Sequence, residues 1–273
     1  MTTLNQRPLA LVTGASSGIG YELACLFAAD GHDLIITATS TEGLAHTAEV
    51  VRAAGAQVEI VAADLTRFDG VETLYAAIKS TGRPLAAAAL NAGVGLGGYF
   101  VGGTELSREL EMIQLNVVSQ VHLTKRILPD MVAQGGGKLL YTASISGTMP
   151  TPYETVYGAT KAFLISFAEA VKAEIKDSGV SITLLMPGQV DTPFWPRAGM
   201  VDNKLGVGEK AAPDKVAKEG YEAMKAGKDR IVAGMMSSKI IGNVVNNLAP
   251  DTVKAKLHAA DAEPGSGLKG LKR

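Results

Sequence analysis

The chain has 273 residues, 47% of them hydrophobic and 19% charged, which supplies apolar material for one large core and excludes a disordered chain. Lys and Arg number 26 against 27 Asp and Glu, so no basic excess points to nucleic acid or an anionic membrane surface. A single cysteine, Cys25, rules out an internal disulfide, no Cys/His cluster has metal-ligand spacing, and no apolar run approaches a membrane span.

The opening stretch, MTTLNQRPLALVTG, lacks the apolar core of a secretion signal, and a cytoplasmic location is expected. Residues 9–13 read as a first strand. Glycines follow at 14, 18 and 20 in TGASSGIG, and Ile19, Leu23, Leu26 and Phe27 then recur at helical spacing. A strand, a glycine-rich turn and a helix N-terminus make a corner suited to a pyrophosphate, because bare backbone N–H groups can approach it and the helix end carries partial positive charge. The spacing G-x-x-x-G-x-G departs from the usual G-x-G-x-x-G, and an ordinary tight turn would also use these glycines.

The pattern then repeats. Strands are predicted at 33–38, 57–63 and 85–90, with helices at 42–54, closed by Gly55, and 68–79, stopped by Gly82 and Pro84. Alternation of this kind implies right-handed crossovers and a doubly wound parallel sheet, a three-layer α/β/α Rossmann fold in a single domain. Gly14, Thr39, Asp64 and Asn91 fall at carboxyl ends of strands and are predicted to line one edge, where such sheets bind ligands. After the second strand no carboxylate appears before Glu42; the residues are Thr37, Ala38, Thr39, Ser40 and Thr41. An acid there would hold a ribose diol and repel a 2′-phosphate, so NADP(H) is favoured over NAD(H).

In the second half a long helix is predicted over 106–131, with Asn116 among apolar neighbours, and a strand over 137–143 delivers Ser144. An asparagine buried without partners costs roughly 1–3 kcal/mol, so Asn116 needs partners, and a core asparagine at a helix kink is one reading of it. Thr151, Pro152 and Glu154 read as N-cap, first-turn proline and capping box of a helix running to 176. On it Tyr157 and Lys161 share a face that continues through Leu164, Ala168, Val171 and Ile175. An ammonium at the head of an apolar stripe either snorkels to the surface or opens into a cleft where charge is wanted. A second stripe, Phe163, Phe167 and Ala170, suits deeper burial or a subunit interface. A strand at 180–186 ends in Pro187-Gly188. Residues 194–212 are read as an irregular substrate lid in which Phe194, Trp195 and Met200 could form an apolar wall. A helix at 213–226 and a strand at 230–233 complete a domain spanning 1–234. Residues 235–260 are expected to be a helical extension, and 261–273 a disordered tail. His32, His46, His122 and His258 share no spacing and read as surface or partly buried structural residues.

These motifs, TGASSGIG at 13–20, Asp64-Leu65, NAG at 91–93, Asn116, Ser144, Tyr157-x-x-x-Lys161 and PGQVDT at 187–192, occur in an order that resembles the short-chain dehydrogenases/reductases, from residue 8 to about 195. Ser144 stands thirteen residues before Tyr157, which also fits that family. The resemblance implies an NAD(P)-dependent oxidoreductase in which Tyr157 is the general acid or base, with its phenol acidified by Lys161. Ser144 would bind the substrate oxygen and Asn116 would anchor a water leading to Lys161. Gly14, Ser16, Ser17, Ile19 and Gly20 would surround the pyrophosphate and adenosine side, with Thr39 and Ser40 at the 2′ position. Asp64 and Leu65 would meet the adenine, and Asn91, Ala92 and Gly93 the adenosine ribose. Tyr157 and Lys161 would also hold the nicotinamide ribose, and Pro187, Gly188, Val190 and Thr192 the carboxamide end. Many NADP-using members carry a basic residue where Ser17 and Thr39 stand here.

The expected function is an NADPH-dependent carbonyl reductase or alcohol dehydrogenase acting on a small or apolar carbonyl or hydroxyl compound, with no nucleic-acid partner. The family commonly pairs the Tyr157 helix with its two-fold mate, which implies a homodimer or homotetramer. A dinucleotide sensor would not need the relay residues, and an isomerase or lyase would turn over without net change in cofactor.

Overall fold

A computed structural model describes residues 7–268. Seven parallel strands lie in the order β3-β2-β1-β4-β5-β6-β7. They are β1 (Leu9–Thr13), β2 (Asp33–Ala38), β3 (Val58–Ala62), β4 (Leu85–Leu90), β5 (Gly137–Thr142), β6 (Val180–Pro187) and β7 (Arg230–Ala233). The winding reverses between β1 and β4, which opens a crevice at their carboxyl ends.

Strand alternation decides the layers. Leu9 and Leu11 of β1 face α3 (Phe68–Ser80), α5 (Ser119–Ala133) and α6 (Thr155–Glu174), where Leu74, Ile127 and Leu164 share one buried cluster. Ala10 and Val12 face α1 (Gly18–Ala29), α2 (Thr41–Ala53) and α9 (Pro213–Lys225), through Phe27, Leu44 and Tyr221. Both sheet faces are therefore covered, as parallel sheets require.

The long helix expected over 106–131 is broken. It runs as α4 (Leu106–Ile113), a π turn (Gln114–Val118) and α5, so an extra residue bulges where Asn116 is buried. The capping box expected at Thr151 does not form. Tyr153 takes a left-handed φ of 66°, which interrupts helical backbone, and α6 starts only at Thr155. Thr151 Oγ1 instead donates to the Glu154 carbonyl at 3.0 Å. The second stripe of α6 divides: Phe167 packs edge-on against Tyr141 of β5, whereas Phe163 stays exposed.

Residues 194–212 contain two short helices, α7 (Phe194–Arg197) and α8 (Lys204–Val207). Trp195 is stapled down by its indole N–H, which donates to Val190 O at 2.8 Å, and Met200 is fully buried against Gly97. After β7 come α10 (Met236–Ile240), a π turn (Ile241–Val245), α11 (Asn246–Leu248) and α12 (Asp251–Ala262). The tail expected to be disordered from 261 is ordered as far as Leu268, because Ser266 is buried and bonded to Lys204 N and Asp261 O. Residues 269–273 lie outside the described ones. Among the described residues no helix is long and apolar enough to cross a membrane.

Candidate active site

The carboxyl ends of the central strands, α1, α6, α7 and the C-terminal helices enclose a cavity of about 460 Å³. Its first half is the glycine-rich turn. Gly14 and Gly18 hold φ of 67° and 57°, conformations that only glycine adopts cheaply. A Cβ at Gly20 would come within 2.2 Å of Gly14 O, so the first turn of α1 packs directly on the loop. Ser17, the α1 N-cap, makes no side-chain cap bond and the first turn carries no acid. Those N–H groups therefore suit an anion, and a dinucleotide's pyrophosphate fits here.

Thr13 ties the strand ends together. Its hydroxyl oxygen accepts from the N–H groups of Asn91 and Ala92, each at 2.9 Å. Asn91 in turn donates to Thr13 O at 3.2 Å and accepts from Thr142 Oγ1 at 3.0 Å. This bracing was invisible as a motif, because the pattern shows only NAG.

Of the residues expected at the site, Gly14, Ser16, Ser17, Ile19, Thr39, Asp64, Leu65, Asn91, Ala92, Gly93, Ser144, Tyr157, Lys161, Pro187, Gly188, Val190 and Thr192 line the one cavity. Gly20, Ser40 and Asn116 do not. Gly20 lies beneath the loop, and Ser40 is the N-cap of α2, accepting from Gly43 N at 3.1 Å. Asn116 stands behind the wall. It accepts from Val94 N at 3.0 Å and donates to Val94 O at 2.8 Å and Thr160 Oγ1 at 3.1 Å. A Cβ at Gly93 would lie 3.1 Å from Asn116 Oδ1 and 3.3 Å from Lys161 Nζ, so the bare glycine backbone is what lets these two groups converge.

The cavity's second half holds Ser144, Tyr157 and Lys161. Tyr157 and Lys161 are 8% and 5% exposed, which settles the lysine as a cleft residue and not a snorkelling one. Lys161 Nζ donates to Thr142 O at 2.9 Å and sits 5.8 Å from the Tyr157 ring centre. Burial lowers its pKa to about 8. The expected acidification of the phenol is not found in the polypeptide alone. Burial raises the Tyr157 pKa, the charge of Glu154 adds to that, and hydrogen bonding with Ser144 opposes it. Desolvation is the largest of these effects.

Beyond the lid read over 194–212, sequence reasoning named no residue of the outer wall. Met149, Glu154, Arg197, Leu205, Ile241, Val245, Asn246, Lys254, Leu257 and His258 all line it. His258, read as structural, has a side chain only 4% exposed and reaches Glu154. The one sequence signal was Lys254, His258 and Ala262 at helical spacing, all buried on α12. Phe194 stands beside Tyr157, with ring centres 5.4 Å apart, whereas Met200 faces away into its own cluster.

The model of the short chain dehydrogenase family matches residues 8–200. The ketoacyl reductase HetN of a Nostoc species is 29% identical over 229 residues, 82% of this chain and 77% of that protein. The oxidoreductase UcpA of Salmonella typhimurium is 32% identical over 186 residues, covering 68% and 70%. A short-chain dehydrogenase from Sphingobium yanoikuyae, solved in complex with NADPH, superposes with a TM-score of 0.75 at 29% identity, over 82% of this chain and 87% of that one. The glycine corner, the braced strand ends and the paired Tyr157 and Lys161 agree with that match: the chain belongs to the short-chain dehydrogenase/reductase family and is an NAD(P)-dependent oxidoreductase acting between CH–OH and C=O.

Proposed function

We propose that this enzyme is an NADPH-dependent carbonyl reductase, reversible as an alcohol dehydrogenase, for small or apolar substrates. The observation that carries the reading is the burial of Tyr157 and Lys161 on one face of α6, in the wall of the same cavity that the glycine-rich turn opens. Ile145, Met149, Phe194, Leu205, Val245 and Leu257 give the substrate half an apolar lining, which supports a carbonyl on an apolar body.

When bound, the nicotinamide supplies the hydride to a carbonyl carbon, or takes it from an alcohol. Gly14, Ser16, Ser17 and Ile19 would hold its pyrophosphate, Asp64 and Leu65 the adenine, and Asn91 to Gly93 the adjoining ribose. Thr39 would face a 2′-phosphate without opposing charge. Pro187, Gly188, Val190 and Thr192 would orient the carboxamide. Ser144 positions the substrate oxygen, and Tyr157 gives that oxygen its proton from Oη in reduction or removes it in oxidation. Lys161 holds the ribose and stabilises the phenolate, while Asn116 acts from behind through the Val94 loop that it grips. The exposed Phe163 on α6 supports pairing of that helix with a second copy in a homo-oligomer, working in the cytoplasm.

Tyr157→Phe is expected to keep NADPH binding and lose carbonyl reduction by about 10²–10⁴-fold, the usual worth of a positioned acid. Cofactor fluorescence titration and turnover against a carbonyl panel measure both; turnover near that of the parent would end this reading.

A further inference from the structure

Two ionisable side chains in the cavity wall have no part in the relay above. Glu154 caps α6 one turn before Tyr157, and His258 stands on α12, beyond the residues that the family model matches. His258 Nε2 lies 2.9 Å from Glu154 Oε2, and the two side chains are 4% and 5% exposed. A carboxylate this deep needs a compensating charge or proton. Among the described residues, His258 is the one partner in an ion pair with Glu154. Its neighbours on α12 are engaged elsewhere: Lys254 pairs with Asp251 at 2.6 Å and donates to Asn246 O, and Asp261 is 3.6 Å from Lys204. Around the phenol stand Glu154 and Lys161 from the turns on either side, Ser144 from the end of β5 and Phe194 from α7. Asp64 and Arg197 are the remaining charged groups among the cavity residues.

We infer that His258 offsets the charge which the buried Glu154 carboxyl presents to Tyr157 during proton transfer, and that His258 is thereby a positioning residue which the C-terminal segment contributes to the relay. Without the imidazole, a lone negative charge stands one turn from a phenol that must ionise, and like charge opposes ionisation. The same charge is among the causes that hold Tyr157 above the ordinary tyrosine range. This inference rests on the proposed role of Tyr157.

The test is alcohol oxidation at saturating oxidised cofactor, with kcat followed against pH in the parent, His258→Gln, Glu154→Gln and the double variant. His258→Gln is expected to move the half-maximal point of the rising limb upward by on the order of one pH unit. Adding Glu154→Gln should bring it back down by a similar amount. A strap that merely holds α12 in place would lower kcat or raise KM with the limb unmoved, and removing its second partner would not restore the limb. An unmoved limb in His258→Gln, or a double variant that stays displaced, overturns the inference. Should the glutamine variant fail to fold, His258→Asn takes its place. A second readout needs no substrate: the phenolate absorbance difference between each variant and its Tyr157→Phe counterpart, with oxidised cofactor bound, should show the same displacement and rescue. A parent that oxidises no alcohol defeats the functional reading alone, and the absorbance difference then decides the charge coupling.

Discussion

Lys161 shows what a buried ammonium costs its fold. Its pKa is lowered from 10.5 to about 8 by burial. The native protein therefore binds fewer protons than the unfolded chain between those two values, and stability rises with pH through that window. Below about 8 both states are protonated and the full cost of burying the ammonium is present. Lys161→Met should abolish turnover and stabilise the fold by about 2 kcal/mol at pH 7, after allowing for the Thr142 carbonyl left without its donor. In urea unfolding the parent should gain stability from pH 8 to 9.5 while the variant stays flat. Above about 10 the raised Tyr157 works the other way, since the unfolded tyrosine ionises first. At this scale the sequence identified the pair but not the sign of the phenol's shift. Periodicity places Tyr157 and Lys161 on one face; how dry that face is depends on α7 and the C-terminal helices, which periodicity cannot bring near.

The elements were read best where composition and spacing agreed. All seven strands lie where apolar runs predict them; the inner five are buried almost throughout and leave a continuous hydrophobic signature, whereas the edge strands β3 and β7 are partly exposed. The α6 entrance misled, since Thr151, Pro152 and Glu154 satisfy a capping pattern that Tyr153's backbone forbids and His258 diverts. The π turn around Asn116 carries no sequence mark beyond one amide among apolar residues. Ser40 is the N-cap of α2, accepting from Gly43 N, and it is Thr39 that stands in the cavity wall. Thr39→Asp should therefore move the cofactor preference towards NAD by at least tenfold in the ratio of kcat/KM values, because a carboxylate repels a 2′-phosphate and can hold a diol. Parallel assays with both cofactors measure this, and an unchanged ratio would assign the discrimination elsewhere.

Across the whole molecule, chemistry and stability occupy opposite edges of the sheet. At the amino ends, Asp33 accepts from Arg83 at 2.9 Å and from Gln57 N at 2.9 Å, clamping β2 to the entrance of β4. The Arg83 and Asp33 side chains are 16% and 7% exposed, so breaking the pair strands a largely buried carboxylate. Arg83→Met should cost roughly 2–3 kcal/mol in urea unfolding and leave the NADPH dissociation constant within twofold. The layered architecture was legible from strand–helix alternation alone, and the glycine turn and the convergence of Ser144, Tyr157 and Lys161 on one cavity from their order along the chain. The outer wall was not, because Asn246 and His258 reach the cavity by long-range folding, and the helical spacing of Lys254, His258 and Ala262 marks a buried face without saying what it faces.

The position of α12 bears on how the enzyme comes into being. Synthesis runs from the amino end, so a nascent chain already possesses its dinucleotide corner, tyrosine and lysine while the segment carrying Leu257 and His258 has yet to emerge. A protein cut short near Gly234 would thus lack one wall of the cavity, and the residues of the C-terminal helices are what close that side.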